Sequence, residues 1–185
     1  TSALKVRPIA GASVLGIVEL SRGCGNGCGF CTMGKVKMDH LPHETILADL
    51  QTNVSAGFTS VVSGSEDFFR YGAASGKVNF EALRGLLEEM KRIDGLGFMQ
   101  IDHGNISSVL QYEDDQLREI RRLLTWSQPS EFLWVNMGVE SANGHLVAAN
   151  GSGKMAPYDP GDWGDLVRYA ADKMIRTGFY PVLRV

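Results

Sequence analysis

Apolar and polar positions fall into alternating blocks along this chain, and each block has a readable period. "VLGIVEL" (14–20) is uninterrupted and rich in β-branched residues, which predicts a buried strand. In "LPHETILADLQTNVSAG" (41–57), Ile46, Leu50 and Val54 recur every four residues and line one helical face. Pro42 fits the first turn of that helix, Glu44 suits its positive end and Gly57 supplies a C-terminal stop. "FTSVVSG" (58–64) reads as a second strand. "NFEALRGLLEEMKRI" (79–93) reads as a helix capped by Asn79, with Leu83, Leu86, Leu87 and Met90 on one face. "LGFMQIDHG" (96–104) is the third strand. "YEDDQLREIRRLLTW" (112–126) is the third helix, acidic where it starts and basic towards its end. "EFLWVNMGVE" (131–140), "DWGDLVRYAADKMIRTG" (162–178) and "FYPVLRV" (179–185) complete the series as strand, helix and strand.

Strand and helix thus alternate at a spacing of roughly 35 to 45 residues, the pattern of consecutive βαβ units with a parallel sheet and right-handed crossovers. The expected class is α/β. Four units and a fifth strand make half of an eight-fold barrel or most of a partial, six-stranded one. Periodicity alone fits a curved half-barrel and a flat open sheet alike. Pro181 points to an irregular or edge position in the last strand. Residues 1–13 read as a lead-in or linker, and 14–185 as one core domain. The start at Thr1 and the end in a strand read as an excised piece of a longer protein, with flanking domains outside it.

This layout locates chemistry. Loops that follow parallel strands share one face of the sheet. The segments after strands one to four are "SRGCGNGCGFCTMG" (21–34), "GSED" (64–67), "HGN" (103–105) and "ES" (140–141). They are expected to meet at one mouth.

Composition narrows the classes. The 185 residues are 44% hydrophobic, enough for one domain with a real core. Lys plus Arg number 18 against 21 for Asp plus Glu, a net charge of −3. A broad nucleic-acid footprint is therefore not indicated, although an RNA substrate held partly by another domain stays open. No run reaches the roughly 18 apolar residues of a membrane helix, and "GASVLGIVEL" lacks signal-peptide flanks. The 3 cysteines sit together within eight positions, an odd number that cannot close into disulfides. Clustered thiols of this kind point to a metal site in a reducing, cytoplasmic compartment.

Cys24, Cys28 and Cys31 have the spacing C-x3-C-x2-C. Glycines between them let a chain curl around a metal centre. An iron–sulfur cubane has four ligand positions, so three thiols leave one iron open. Zinc in a Cys3His site, with His40 or His43 as fourth ligand, is the inorganic rival. A plain electron-transfer cluster needs a fourth thiol from elsewhere.

"CGNGCGFC" resembles the cluster motif of the radical S-adenosylmethionine (radical SAM) enzymes, including the aromatic Phe30 before the last cysteine. The resemblance implies a TIM-like (β/α)6-type core that breaks off in or after its fifth strand. It implies that Cys24, Cys28 and Cys31 hold a [4Fe–4S] cluster whose fourth iron is chelated by S-adenosylmethionine. "VVSGSEDFF" resembles the family's glycine-glycine-glutamate motif, with Gly64, Ser65 and Glu66 contacting the cofactor's amino group and Ser63 where a glycine is expected. "MGVES" resembles the end of strand four in several branches, making Glu140, with Ser141, the ribose candidate. Lys154 is placed to meet the cofactor's carboxylate or the substrate, or simply to be an exposed lysine. His103 and Asn105 either orient ligand or form a turn around Gly104.

The implied activity is reductive cleavage of S-adenosylmethionine to a 5′-deoxyadenosyl radical that takes a hydrogen atom from an unidentified substrate. The implied partners are a reductant such as flavodoxin or ferredoxin and missing flanking domains. "GVES" is similar to branches that include cobalamin-binding enzymes and methylthiotransferases, so cobalamin in a missing domain belongs to the same expectation. The competing class is a non-catalytic iron–sulfur or zinc module serving structure, electron transfer or maturation. His40, His43 and His145 show no pairing. Trp126, Trp134 and Trp163 fit helix–sheet packing better than base stacking. The long segment 66–80, with Phe68, Phe69, Arg70 and Tyr71, either walls a cavity or buries an apolar patch.

Overall fold

The computed structural model describes residues 5–74, 76–125 and 133–185. Its strands are β1 (Ile17–Glu19), β2 (Ser21–Arg22), β3 (Asp39–His40), β4 (Ser60–Gly64), β5 (Phe98–Gln100), β6 (Trp134–Gly138) and β7 (Tyr180–Arg184). Its helices are α1 (His43–Ser55), α2 (Phe80–Met90), α3 (Ile106–Val109), α4 (Asp114–Leu123), α5 (Gly144–Ala149) and α6 (Trp163–Arg176). Short 3-10 turns lie between them, among them Val14–Gly16 and Phe68–Arg70.

The amphipathic helices form where the four-residue period places them. Ile46 and Leu50 of α1 are fully buried and Val54 is partly so. Pro42 is the N-cap of α1 rather than a first-turn residue, and Gly57 ends the helix at φ 99°. Asn79 caps α2, its Oδ1 accepting from Ala82 N at 3.1 Å, and Leu83, Leu86, Leu87 and Met90 all point inward. α4 opens with a capping box of Glu113 and Gln116, and its basic end carries Arg121 and Arg122.

The strands are shorter than the apolar runs that contain them. The run 14–20 gives only three strand residues, because Leu15 and Gly16 turn to positive φ (56° and 64°) and leave Val14 and Leu15 79% and 69% exposed. A continuous apolar run carries no periodicity that would reveal this turn. The predicted strand 131–140 is observed as β6; Glu131 and Phe132, like Trp126 of the third predicted helix, lie outside the described residues. Trp163 packs in the core, whereas Trp134 is half exposed.

Three small sheets result: β1-β4-β5 and β6-β7, both parallel, and the antiparallel pair β2-β3. The α/β class and the parallel pairing hold, but the expected partial (β/α)6-type, TIM-like barrel does not. A barrel needs an unbroken ladder with consistent stagger from strand to strand. Here the ladder stops at Gln100. Beyond it a single parallel bridge, His103 with Asn136, touches β6. At that seam the side-chain amide of Gln100 donates to the carbonyls of Ile101 and Trp134, taking a place that backbone pairing would occupy. Among the described residues β7 pairs only with β6, which leaves Pro181 on an edge strand.

The core runs beneath these sheets, and its centre is aromatic. Phe69 meets Phe68, Tyr112 and Phe179 edge to face at 5.4–6.0 Å between ring centroids. Tyr112 Oη donates to the Phe69 carbonyl at 2.6 Å, and Tyr71 Oη to that of Leu41 at 2.9 Å. The aromatic residues of the segment after β4 therefore bury in the core and do not wall a cavity.

Candidate functional site

The loops after β1, β4 and β5 do meet at the carboxyl ends of their strands. They enclose a cleft of about 500 Å³ lined by Glu19, Cys24, Cys31, Gly64, Ser65, Glu66, Asp102, His103, Asn105 and Lys154, among others. Five residues expected at a ligand site, Gly64, Ser65, Glu66, Asn105 and Lys154, are thus brought together. Phe30, Glu140 and Ser141 are not with them. They line a neighbouring pocket of about 430 Å³ beside Leu146 and Val147, and Phe30 is 57% exposed.

The floor of the cleft is held by the residue next to the one the motif emphasised. Asp67 is fully buried, and its carboxylate accepts from Asn105 N at 3.2 Å, Asn105 Nδ2 at 3.0 Å and Ser108 Oγ at 2.5 Å. It ties the turn after β4 to the segment after β5. Burial pushes its carboxyl above the usual range, opposed by the Ser108 and Asn105 hydrogen bonds. Asn105 is therefore occupied as a strut. Ser21 and Ser65 share a buried hydroxyl–hydroxyl bond at 2.6 Å, joining the cysteine loop to the same turn.

Glu66 is placed differently. Its Oε2 is buried and has no hydrogen-bond partner among the described residues. Such an acceptor costs about 1–3 kcal/mol while it stays unpaired. Asp102 and Glu19 add two more carboxylates to the lining, although Glu19 is engaged by Arg22. Burial lowers the His103 pKa, against the pull of Asp102, so the imidazole is neutral at pH 7. Neither Glu19 nor Asp102 was singled out from sequence. Each is a lone acid at the carboxyl end of an apolar strand segment, a signal that was present but weak.

The three thiols do not form the expected centre. Cys24 and Cys28 are both buried, but only Cys24 and Cys31 line the cleft, and the Cys28 Sγ lies 3.8 Å from Ser152 Oγ. Among the described residues no group of three or more His, Cys, Asp and Glu side chains is arranged to hold a metal ion. That arrangement overturns the [4Fe–4S] ligand set and its zinc alternative. The S-adenosylmethionine cofactor chelated by the cluster, the cobalamin linked to it and the radical SAM reaction fall with it. The likeness of "CGNGCGFC" to that family is one of sequence spacing. Burial also raises the Cys24 pKa, which keeps the thiol neutral.

Gly23 and Gly34 of the loop serve close backbone packing instead. Gly23 has φ 76° with the carbonyls of Val36 and Lys37 against it, where a Cβ would sit 2.6–2.7 Å away. Across the loop Gly29 N donates to Gly151 O at 2.9 Å. The segment it meets carries Lys154, whose side chain is only 16% exposed and whose Nζ pairs with Glu140 Oε1 at 2.7 Å. Glu140 reaches it from a backbone at φ 66°, a rare conformation for a residue with a side chain. The candidate ribose carboxylate is thereby engaged by the candidate lysine, and the pair stands between the two pockets.

No helix among the described residues is long and apolar enough to cross a membrane. Compared with known proteins, the chain matches no family model and no curated protein significantly.

Proposed function

We propose that this domain binds a small organic cation, a ligand bearing a primary ammonium group, in the cleft at the carboxyl ends of β1, β4 and β5. The observation that carries the reading is the unpartnered Glu66 Oε2 in a cleft with a surplus of carboxylates. An ammonium has three donors and no acceptor. Glu66 and Asp102 supply acceptors for it. Ile17 and Met33 give the same cleft an apolar wall for the carbon skeleton. The neutral His103 completes the polar end without adding positive charge. Three free cysteines accord with a reducing, cytoplasmic setting.

The test uses putrescine and its neutral N,N′-diacetyl derivative, followed by amide chemical shifts. Putrescine is expected to shift the signals of Glu66 and His103, and the diacetyl compound is not. A hydrogen bond to a charged group contributes about 1.5–3 kcal/mol, so Glu66→Gln is expected to weaken binding by about tenfold or more. Equal shifts from both compounds, or unchanged affinity in Glu66→Gln, would overturn the reading.

A further inference from the structure

We propose that a third pocket, behind the cysteine loop, binds a small oxyanion through Arg70 and Asn26. The pocket measures about 430 Å³ and lies between that loop, the Phe68–Arg70 turn and α3, with Ser107, Gln111 and Tyr158 in its wall. Lys154 is the residue it shares with the cation cleft.

Two donors in this lining are buried without a partner among the described residues: Arg70 Nε and Asn26 Nδ2. Their orientation follows from the hydrogen bonds that are made. Arg70 Nη1 donates to Cys24 O at 2.9 Å and to Asn26 Oδ1 at 3.0 Å. Asn26 must therefore present its carbonyl oxygen to Arg70, and its amide nitrogen is the atom left over. Arg70 in turn has one nitrogen committed and its Nε edge idle.

Arg70 makes no direct ion pair among the described residues. The acid whose field reaches it is Asp67, but the Asp67 oxygens are taken up by Asn105 and Ser108. An idle guanidinium edge next to an idle amide N–H is a set of donors with no acceptor. The complementary ligand is an oxyanion, which accepts several N–H bonds in the plane of a guanidinium. The Ser107 hydroxyl lies in the same wall. Lys154 Nζ is already engaged by Glu140, so Arg70 is the anchor. Phosphate and carboxylate share this chemistry, and the pocket has room for the organic part of a small ester.

The experiment titrates inorganic phosphate, glycerol 3-phosphate and acetate into the protein by calorimetry, on wild type and on Asn26→Asp. Arg70→Gln is a poor probe by itself, since Arg70 also braces the backbone at Cys24. Asn26→Asp keeps the oxygen that Arg70 grips and replaces the idle donor with a second carboxylate oxygen. It is expected to raise the melting temperature, by pairing with Arg70, while weakening anion binding at least tenfold. Glycerol 3-phosphate binding tighter than phosphate assigns the site to a phosphomonoester; equal binding assigns it to the free ion; acetate binding as well as phosphate assigns it to carboxylates. Failure of all three anions to bind wild type at about 10 mM, tenfold above a millimolar dissociation constant, overturns the proposal. So does anion binding that Asn26→Asp leaves unchanged, or an Asn26→Asp protein less stable than wild type.

Discussion

Asp67→Ala is expected to destabilise the protein by about 3–5 kcal/mol, read as the loss of unfolding free energy in urea. The substitution deletes the acceptor for Asn105 N, Asn105 Nδ2 and Ser108 Oγ at once, in a place water does not reach. Against a total stability of about 5–15 kcal/mol this is a large fraction. The cleft should lose its floor with it, because Asp67 joins the turn after β4 to the segment after β5. The pH dependence has a definite sign. The native Asp67 carboxyl is raised above its ordinary value of 3.8 by burial. Its contribution is therefore full below that value and is lost as pH rises through the native pKa. Asp67→Asn removes this slope. Urea unfolding of wild type and Asp67→Asn at a series of pH values from 3 upward isolates it, and parallel curves would show that Asp67 does not titrate as described.

Gly153→Ala is expected to cost about 3 kcal/mol or more. A Cβ at this position would lie 1.5 Å from Asn26 O and 2.6 Å from Asn26 C, backbone atoms that have no rotamer to escape into. The cysteine loop and the segment with Ser152 and Lys154 would have to part. The Gly29 N to Gly151 O bond and the Cys28–Ser152 contact lie at the same junction and should weaken together. Thermal denaturation reads the stability. Alkylation of native protein reads the junction: Cys28, protected in wild type, is expected to react far faster in Gly153→Ala. A variant with wild-type stability and a still-protected Cys28 would show that the two segments are not in contact.

Much of the layout was legible from the chain. The faces of α1 and α2 followed from Ile46, Leu50, Leu83 and Leu87, because a four-residue period has one structural meaning. The convergence of Ser65, Glu66 and Asn105 followed from strand–helix alternation, which puts successive loops on one side of a parallel sheet, but the same rule put Glu140 and Ser141 with them, and these line the neighbouring pocket. What sequence could not supply was the seam between β5 and β6. There the Gln100 side chain reaches Trp134 O, a contact between residues 34 apart that leaves no local trace in the sequence. The turn at Leu15 and Gly16, which delays the first strand to Ile17, left no trace because a continuous apolar run has no periodicity. The thiols misled because spacing tells which cysteines are near in sequence. It does not tell where each sulfur points, and Cys28 is turned towards Ser152 by a contact 124 residues away. Among the acids, the motif marks Glu66, while its neighbour Asp67 carries the structure. Burial, which sequence does not print, separates their roles.

The central claim is that the cysteine loop walls an organic-ligand cleft, with Cys24 and Cys31 in the lining and Cys28 buried against Ser152 outside it. The most direct measurement is bound iron and sulfide per chain after anaerobic reconstitution, on wild type and on Cys28→Ala. The arrangement predicts well under one metal centre per chain in both proteins, with no difference between them. About one iron–sulfur centre per wild-type chain, lost in Cys28→Ala, would contradict it.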